Sequence, residues 1–164
     1  MSLKIGVLGA GSWGTTVATL ARNNTPTTLW SRRAELAEEI NRRHTNERYL
    51  SGFPLPEDLV ATASIEDAVR SADVVVMGVP SHGMRPVLKE VAKSIRPWVP
   101  VISLAKGLEE GSHLRMSEVI GEMLPGHPTG VLTGPNLARE IMSGFAAASV
   151  IAMENDTILR ELQD

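Results

Sequence analysis

Cysteine is absent from this chain of 164 residues, and aromatic residues make up only 4% of it. Without cysteine the chain cannot hold a disulfide framework, a thiolate zinc site or a cysteine nucleophile. No apolar run reaches the roughly 18 residues of a membrane-spanning helix, and the first residues lack the pattern of a secretion signal. From these absences we expect a soluble, cytoplasmic protein with no integral membrane segment.

A large excess of one sign of charge is also lacking, because the net charge is only -3 and both signs are interspersed. No basic tail or block of lysine and arginine is present, so we expect no nucleic acid as a partner. His82 has no partner at a catalytic or metal-ligating spacing, and we expect no metal. With 43% hydrophobic residues, the chain can form one domain that buries roughly 70% of its extended surface.

A glycine-rich turn near the start of the chain is the clearest motif. Residues 4–8 form an apolar run of strand length, residues 9–14 read G-x-G-x-x-G, and a helical pattern follows. In a dinucleotide site Gly9 permits the tight turn, Gly11 lets the backbone approach a diphosphate, and Gly14 lets the helix lie close to the strand. The free N–H groups of the helix would hold the anion. The alternative is a turn that serves only to reverse the chain.

The end of the second predicted strand, Thr27–Trp30, indicates which dinucleotide is bound. An NAD site places an acidic residue about 20 residues past the glycines, whereas an NADP site offers arginine to the 2'-phosphate. The residues at this point are Ser31, Arg32 and Arg33. The expected cofactor is NADP or NAD. NADPH is favoured, because two guanidinium groups can bind its 2'-phosphate. The alternative is that both arginines are solvated residues opening the helix over 34–43.

Strands and helices alternate along the whole chain. The predicted strands are 4–8, 27–30, 60–63, 72–79, 101–105, 129–133 and 147–153. The later predicted helices are 34–43, 64–70, 84–95, 114–124, 136–143 and 157–162, with Ser64 capping the second of these. This order predicts an α/β fold, a Rossmann-like doubly wound, mostly parallel sheet with helices on both faces.

Several polar residues follow predicted strands, where ligands of open α/β sheets bind. Pro80–Gly83 could form a wall of the site, although Ser81 or His82 could equally cap a helix. Lys106 could face the crevice or be a solvated loop charge. Asn136 could cap the next helix or contact a ligand, and its residue chemistry does not separate the two.

A loop is predicted over residues 46–56, since glycine and proline interrupt it. Tyr49 and Phe53 are its only large anchors. Their chemistry alone favours loop packing over a cofactor contact.

Six segments together resemble the bacterial-type NAD(P)-dependent glycerol-3-phosphate dehydrogenases, over essentially the whole chain and in order. The segments are Gly9–Thr15, Leu29–Arg32, Tyr49–Gly52, Val79–His82, Ala105–Glu109 and Thr133–Ala138. The resemblance implies reversible hydride transfer between NAD(P)H and dihydroxyacetone phosphate. The product, sn-glycerol 3-phosphate, would feed glycerophospholipid synthesis.

The resemblance also implies roles for individual residues. The matching cofactor contacts are Ser12, Trp13, Arg32, Arg33, Tyr49, Lys106 and Ala138, and the matching substrate contacts are Lys106, Gly134 and Asn136. Fixed donors such as Lys106 and Asn136 would stabilise negative charge that develops on the substrate oxygen.

Family members continue into an all-helical domain that carries the general acid/base lysine and the phosphate-binding groups. We therefore expect residues 1–164 to be the N-terminal dinucleotide-binding domain, with no catalytic residue of its own and the helical domain absent. Such a chain would bind dinucleotide but turn over about 100- to 10,000-fold more slowly. Apolar surface would be exposed on the helices over 114–124 and 157–162. A homodimer is possible for the full-length protein.

Three alternatives stay open at this point. One is a related two-domain hydroxyacid dehydrogenase, and another is a stand-alone dinucleotide-binding or redox-sensing module. The third is a methyltransferase that uses S-adenosylmethionine. It is disfavoured because Ser31–Arg33 lacks the acidic ribose ligand of such a site.

Overall fold

A computed structural model describes residues 3–163 of the chain. Its strands are β1 (Ile5–Leu8), β2 (Thr27–Trp30), β3 (Val60–Thr62), β4 (Val74–Met77), β5 (Val101–Ser103), β6 (Thr129–Thr133) and β7 (Val150–Met153). Its helices are α1 (Ser12–Arg22), α2 (Ala34–Arg43), α3 (Glu47–Leu50), α4 (Ile65–Val69), α5 (Met84–Val91), α6 (Met116–Met123), α7 (Ala138–Met142) and α8 (Asp156–Gln163). None of the helices in this part of the chain is long and apolar enough to cross a membrane.

The strands form one sheet in the order β3-β2-β1-β4-β5-β6-β7. Neighbours from β3 to β6 are parallel, and β7 is antiparallel to β6. The chain changes direction across the sheet between β1 and β4, which leaves a crevice at the carboxyl ends of these strands. The doubly wound, mostly parallel sheet predicted from the sequence is therefore confirmed.

Both faces of the sheet are covered by helices. Successive strand residues point to opposite faces, so each strand contributes to two clusters. Leu8, Val75 and Met77 pack in a cluster with α4, α5 and α6. Val7 and Val76 pack on the other face in a cluster with α1 and α2. Burial on both faces explains why these strands are continuous apolar runs.

The predicted loop over 46–56 contains the short helix α3, so this part of the prediction is wrong. The Asn46 side chain caps α3 by accepting a hydrogen bond from the Tyr49 amide. Leu50 and Leu55 are the buried anchors, whereas Tyr49 is 43% exposed. A helix of four residues is too short to produce a hydrophobic period that the sequence could reveal.

Of the predicted caps, only Ser64 is confirmed, with its hydroxyl 3.2 Å from the Asp67 amide. Neither Ser81 nor His82 caps a helix, since both lie in a 3-10 turn without side-chain capping. Asn136 does not cap α7, whose N-cap is Leu137. The N-cap positions are instead Pro80, Gly83 and Leu137, and none of them makes a side-chain capping hydrogen bond.

The prediction of exposed apolar surface is wrong for α6, and such surface lies elsewhere. Helix α6 buries its apolar residues beside α5, so the predicted loss of a neighbour is wrong there. Helix α8 has no fully buried residue. Leu137, Phe145 and Val150, around α7 and the start of β7, are all at least 60% exposed.

Candidate dinucleotide site

The turn after β1 requires glycine at two positions. Gly9 has a φ of +121°, and a Cβ on it would lie 2.6 Å from the Gly78 carbonyl oxygen. A Cβ on Gly14 would overlap the Gly9 carbonyl oxygen. The tight turn at Gly9 and the close helix–strand packing at Gly14 are therefore as the sequence predicts.

Gly11 is different, because a Cβ on it would meet no atom of the described chain within 4 Å. It is the N-cap of α1, where no side chain caps the helix and no acidic residue occupies the first turn. Thr15 is the first α1 residue whose amide bonds within the turn, to the Gly11 carbonyl at 2.9 Å. The amides of Ser12, Trp13 and Gly14 lack intrahelical acceptors. This open, positively polarised end can accept an anion.

Arginines gather where β2 ends. Ser31 is buried, and its hydroxyl accepts a hydrogen bond from the Arg33 amide at 3.1 Å. The side chains of Arg32 and Arg33 are exposed and form no ion pair with any residue from 3 to 163. Cations without acidic partners at this position suit a phosphate ligand.

Helix α3 brings Tyr49 to this same group of cations. The Arg48 guanidinium lies 5.4 Å from the centroid of the Tyr49 ring. Hydrogen bonding by Arg48, and to a smaller extent by Arg33, holds the pKa of the Tyr49 hydroxyl below its ordinary value. Sequence reasoning missed Arg48. The one local signal in the sequence is that Arg48 directly precedes Tyr49, the first residue of the resembling segment Tyr49–Gly52.

A cavity of about 250 Å³ lies at the carboxyl ends of β5 and β6. It is lined by Trp13, Leu104, Lys106, Leu132, Thr133, Gly134 and Asn136. Trp13, in the first turn of α1, thus shares a cavity with the three residues predicted to bind substrate. A larger cavity of about 410 Å³, partly lined by Trp98, lies before β5 and β6, at their amino ends. It is therefore away from the carboxyl ends of the strands, where ligands of such folds bind.

Asn136 is fixed in this cavity by its amide nitrogen, which donates to the Ser149 hydroxyl at 2.7 Å. Its carbonyl oxygen is buried and has no hydrogen-bond partner among the described residues. A Cβ on Gly134 would lie 2.8 Å from the same amide nitrogen. Glycine at 134 therefore allows Asn136 to approach, and the amide oxygen is left as an acceptor for a ligand.

Ala138 is half-buried near the start of α7 and packs in the cluster on the α1 side of the sheet. The next residue, Arg139, lies over the Phe53 ring at 5.0 Å and donates to the Ser51 carbonyl at 3.2 Å. Phe53 is thus a packing residue, as its chemistry predicts. These contacts join α7 to the segment that follows α3.

Comparison with known proteins identifies the chain. A family model described as the N-terminus of NAD-dependent glycerol-3-phosphate dehydrogenase matches residues 4–159. The chain belongs to this family. The resemblance based on six sequence segments is therefore confirmed, and the methyltransferase alternative is wrong.

Curated members of the dehydrogenase family are closely similar to the chain. A glycerol-3-phosphate dehydrogenase (NAD(P)+) 2 of Sphingopyxis alaskensis is 59% identical over 163 residues, which is 99% of this chain and 49% of the relative. One from Mycobacterium avium is 53% identical over 160 residues, covering 97% of this chain and 47% of the relative. The chain spans about half the length of the curated relatives it matches.

Solved dehydrogenase structures share the fold. A glycerol-3-phosphate dehydrogenase of Coxiella burnetii has a TM-score of 0.91 and 31% identity, covering 98% of this chain and 50% of that one. The enzyme of Saccharomyces cerevisiae has a TM-score of 0.86 and 29% identity, covering 94% and 48%. A pyrroline-5-carboxylate reductase of Coxiella burnetii, 17% identical with a TM-score of 0.68, shares only the fold.

The loop that carries Lys106 in this dehydrogenase domain is held by an ion pair. Gly107 has a φ of +90°, and the Arg85 guanidinium donates to both carboxylate oxygens of Glu109 at 2.5 and 2.9 Å. Arg85 also donates to Glu122 on α6 at 2.6 Å. Through these bonds Arg85 connects α5 and α6 to Glu109, in the loop that carries Lys106.

Glu109→Gln is expected to lower the thermal unfolding temperature at neutral pH and to have a smaller effect in acid. Hydrogen bonds from Arg85 and then Ser112 hold the pKa of the Glu109 carboxyl below its ordinary value. Its stabilising contribution is therefore complete above about pH 4.3, the ordinary glutamate pKa, and is lost as the pH falls through the lower folded-state value. Unfolding should be followed by circular dichroism between about pH 3 and 7.

Glu110→Gln is the matched control, because Glu110 is exposed and makes no ion pair with a described residue. It should leave the unfolding temperature and its pH dependence unchanged. An equal loss in both variants would contradict the role of the Arg85–Glu109 pair.

Proposed function

We propose that this chain is the dinucleotide-binding domain of a glycerol-3-phosphate dehydrogenase that interconverts dihydroxyacetone phosphate and sn-glycerol 3-phosphate. The main support is that the same cavity is lined by Trp13 and by Lys106, Gly134 and Asn136. The cavity adjoins the first turn of α1, so substrate and cofactor sites are contiguous. Ligands of open α/β sheets bind at this edge.

Residues of the glycine turn and of two neighbouring segments would hold the dinucleotide. The amides of Ser12, Trp13 and Gly14, beside the open Gly11, suit the diphosphate. Arg32, Arg33, Arg48 and Tyr49 suit the adenosine end, and Ala138 lies beside α1. The fit rests on an anion-accepting helix end and on arginines that form no ion pair with an acidic residue in the described range 3–163.

NADP(H) is the preferred dinucleotide in this proposal, and NAD(H) is the alternative. Arg32 and Arg33 are exposed at the end of β2, where they can donate to a 2'-phosphate. No acidic residue follows β2 directly to accept a hydrogen bond from an unmodified ribose.

The chemistry of this domain is mainly binding and charge stabilisation. A bound reduced nicotinamide supplies the hydride. The Lys106 ammonium stabilises negative charge on the substrate oxygen. The buried Asn136 carbonyl oxygen accepts a hydrogen bond from a substrate hydroxyl. One of the two amide N–H donors of Asn136 is taken by Ser149, and the second remains for the donor role expected from the sequence.

The remaining parts of the proposal concern the rest of the protein. Residues 1–164 form the N-terminal domain, and an all-helical domain, as in the family, supplies the general acid/base lysine and the phosphate-binding groups. A homodimer of the full-length protein and a cytoplasmic location stay predictions, which light scattering and cell fractionation would check.

Calorimetric titration of the 164-residue chain tests the proposal. NADPH is expected to bind about tenfold more tightly than NADH, because charge-assisted hydrogen bonds to the 2'-phosphate are added. Equal affinities would contradict the NADP preference while leaving the dinucleotide site intact. Binding of neither dinucleotide would overturn the proposed site.

A further inference from the structure

Asn46 is a buried side chain that connects two parts of the candidate site. It is 0% exposed, and its amide nitrogen donates to the Ala10 carbonyl at 3.0 Å and to the Thr15 hydroxyl at 2.9 Å. Its amide oxygen accepts from the Tyr49 amide at 3.1 Å. One side chain thus bonds to the glycine turn, to α1 and to α3.

The bond to Ala10 controls the direction of a neighbouring N–H group. A trans peptide is planar, and its C=O and N–H point in opposite directions. By holding the Ala10 carbonyl, Asn46 therefore turns the Gly11 N–H away from itself. Gly11 is the open N-cap of α1, at the end that accepts an anion.

The hydrogen bond that Asn46 accepts from the Tyr49 amide holds the second part of the candidate site, helix α3. Helix α3 has only four residues, and so short a helix is not stable without tertiary contacts. Its orientation depends on the Asn46 cap, and α3 carries both Arg48 and Tyr49, with the Arg48 guanidinium 5.4 Å from the Tyr49 ring centroid.

We propose that Asn46 is a positioning residue that couples the diphosphate-binding turn to the adenosine-side residues. The inference rests on the proposed dinucleotide function, and Asn46 acts through Gly11 and Tyr49 without touching the ligand. Only an amide of this size supplies two donor hydrogens and an acceptor in the same place. Aspartate keeps the shape and the acceptor but loses the donors.

The test is the affinity of the 164-residue chain for NADPH in Asn46→Asp, measured by calorimetry at a temperature where the variant is folded. A loss of about tenfold to hundredfold is expected from two unmade buried hydrogen bonds. Asn41→Asp is the matched control. Asn41 makes a similar pair of bonds, both 2.8 Å, to the Ala61 backbone between α2 and β3. It should lower stability and leave the NADPH affinity within about twofold.

A second pair of variants serves if Asn46→Asp does not fold. Thr15→Val removes one acceptor of the Asn46 amide and keeps the side-chain shape, and it should weaken NADPH binding about threefold to tenfold. Thr16→Val is its control, since Thr16 is equally buried on α1 but bonds to the Ser12 carbonyl.

The outcomes separate this inference from the proposed function. Unchanged NADPH affinity in Asn46→Asp, or in Thr15→Val where the first variant is unfolded, overturns the positioning role alone. Equal losses in the Asn41→Asp or Thr16→Val control also overturn it. If the unaltered chain binds neither NADPH nor NADH, both the proposed function and the positioning role fail.

Discussion

Gly14→Ala is expected to lower the free energy of unfolding by about 4 kcal/mol or more, among the largest effects of a single substitution. The added Cβ would overlap the Gly9 carbonyl oxygen, which is a backbone atom and cannot rotate away. Helix α1 would have to move away from β1, which also displaces the amides at its N-terminus. Urea unfolding followed by circular dichroism measures the loss, and calorimetry should detect no NADPH binding.

Gly121→Ala is the matched control, because Gly121 also lies within a helix, α6. A Cβ on it would meet no described atom within 4 Å. Alanine is a better helix former than glycine, so this variant should gain up to about 1 kcal/mol. A loss in Gly14→Ala no greater than about 1 kcal/mol would show that α1 can shift without cost, contrary to the close packing described above.

Arg33→Ala is expected to weaken NADPH binding by about tenfold to hundredfold and to change NADH binding much less. A guanidinium that binds the 2'-phosphate contributes charge-assisted hydrogen bonds that NADH cannot form. Arg33 also lowers the pKa of the Tyr49 hydroxyl, which belongs to another residue predicted to contact the adenosine end. We expect a smaller effect from Arg32→Ala. Calorimetric titration with both dinucleotides gives the two ratios.

Arg42→Ala controls for the loss of a positive charge. Arg42 lies on α2, its side chain is 77% exposed, and it pairs with Glu38. The ratio of NADPH to NADH affinity should stay as in the unaltered chain. If all three arginine variants lose NADPH affinity equally, the effect comes from net charge and the assignment of Arg33 is wrong.

The sequence by itself determined the sheet, the glycine turn and the family. These features depend on residues that are neighbours along the chain. Strands such as β4 are continuous apolar runs because both faces of a parallel sheet are buried. The Gly9 and Gly14 positions are readable because only glycine fits the turn and the close approach behind it. The positions of Arg32 and Arg33 follow from the same local order of strand and helix.

Only the tertiary structure decided how separate segments form the site. Asn46 bonds to Ala10, which is 36 residues away, and Arg85 bonds to Glu109 from 24 residues away. Asn136 turned out to bond to Ser149 and not to cap α7. A short sequence pattern cannot show such pairs, because the partners meet only after the strands have assembled. The physical reason is that a buried polar atom takes whichever partner the fold brings within hydrogen-bond distance.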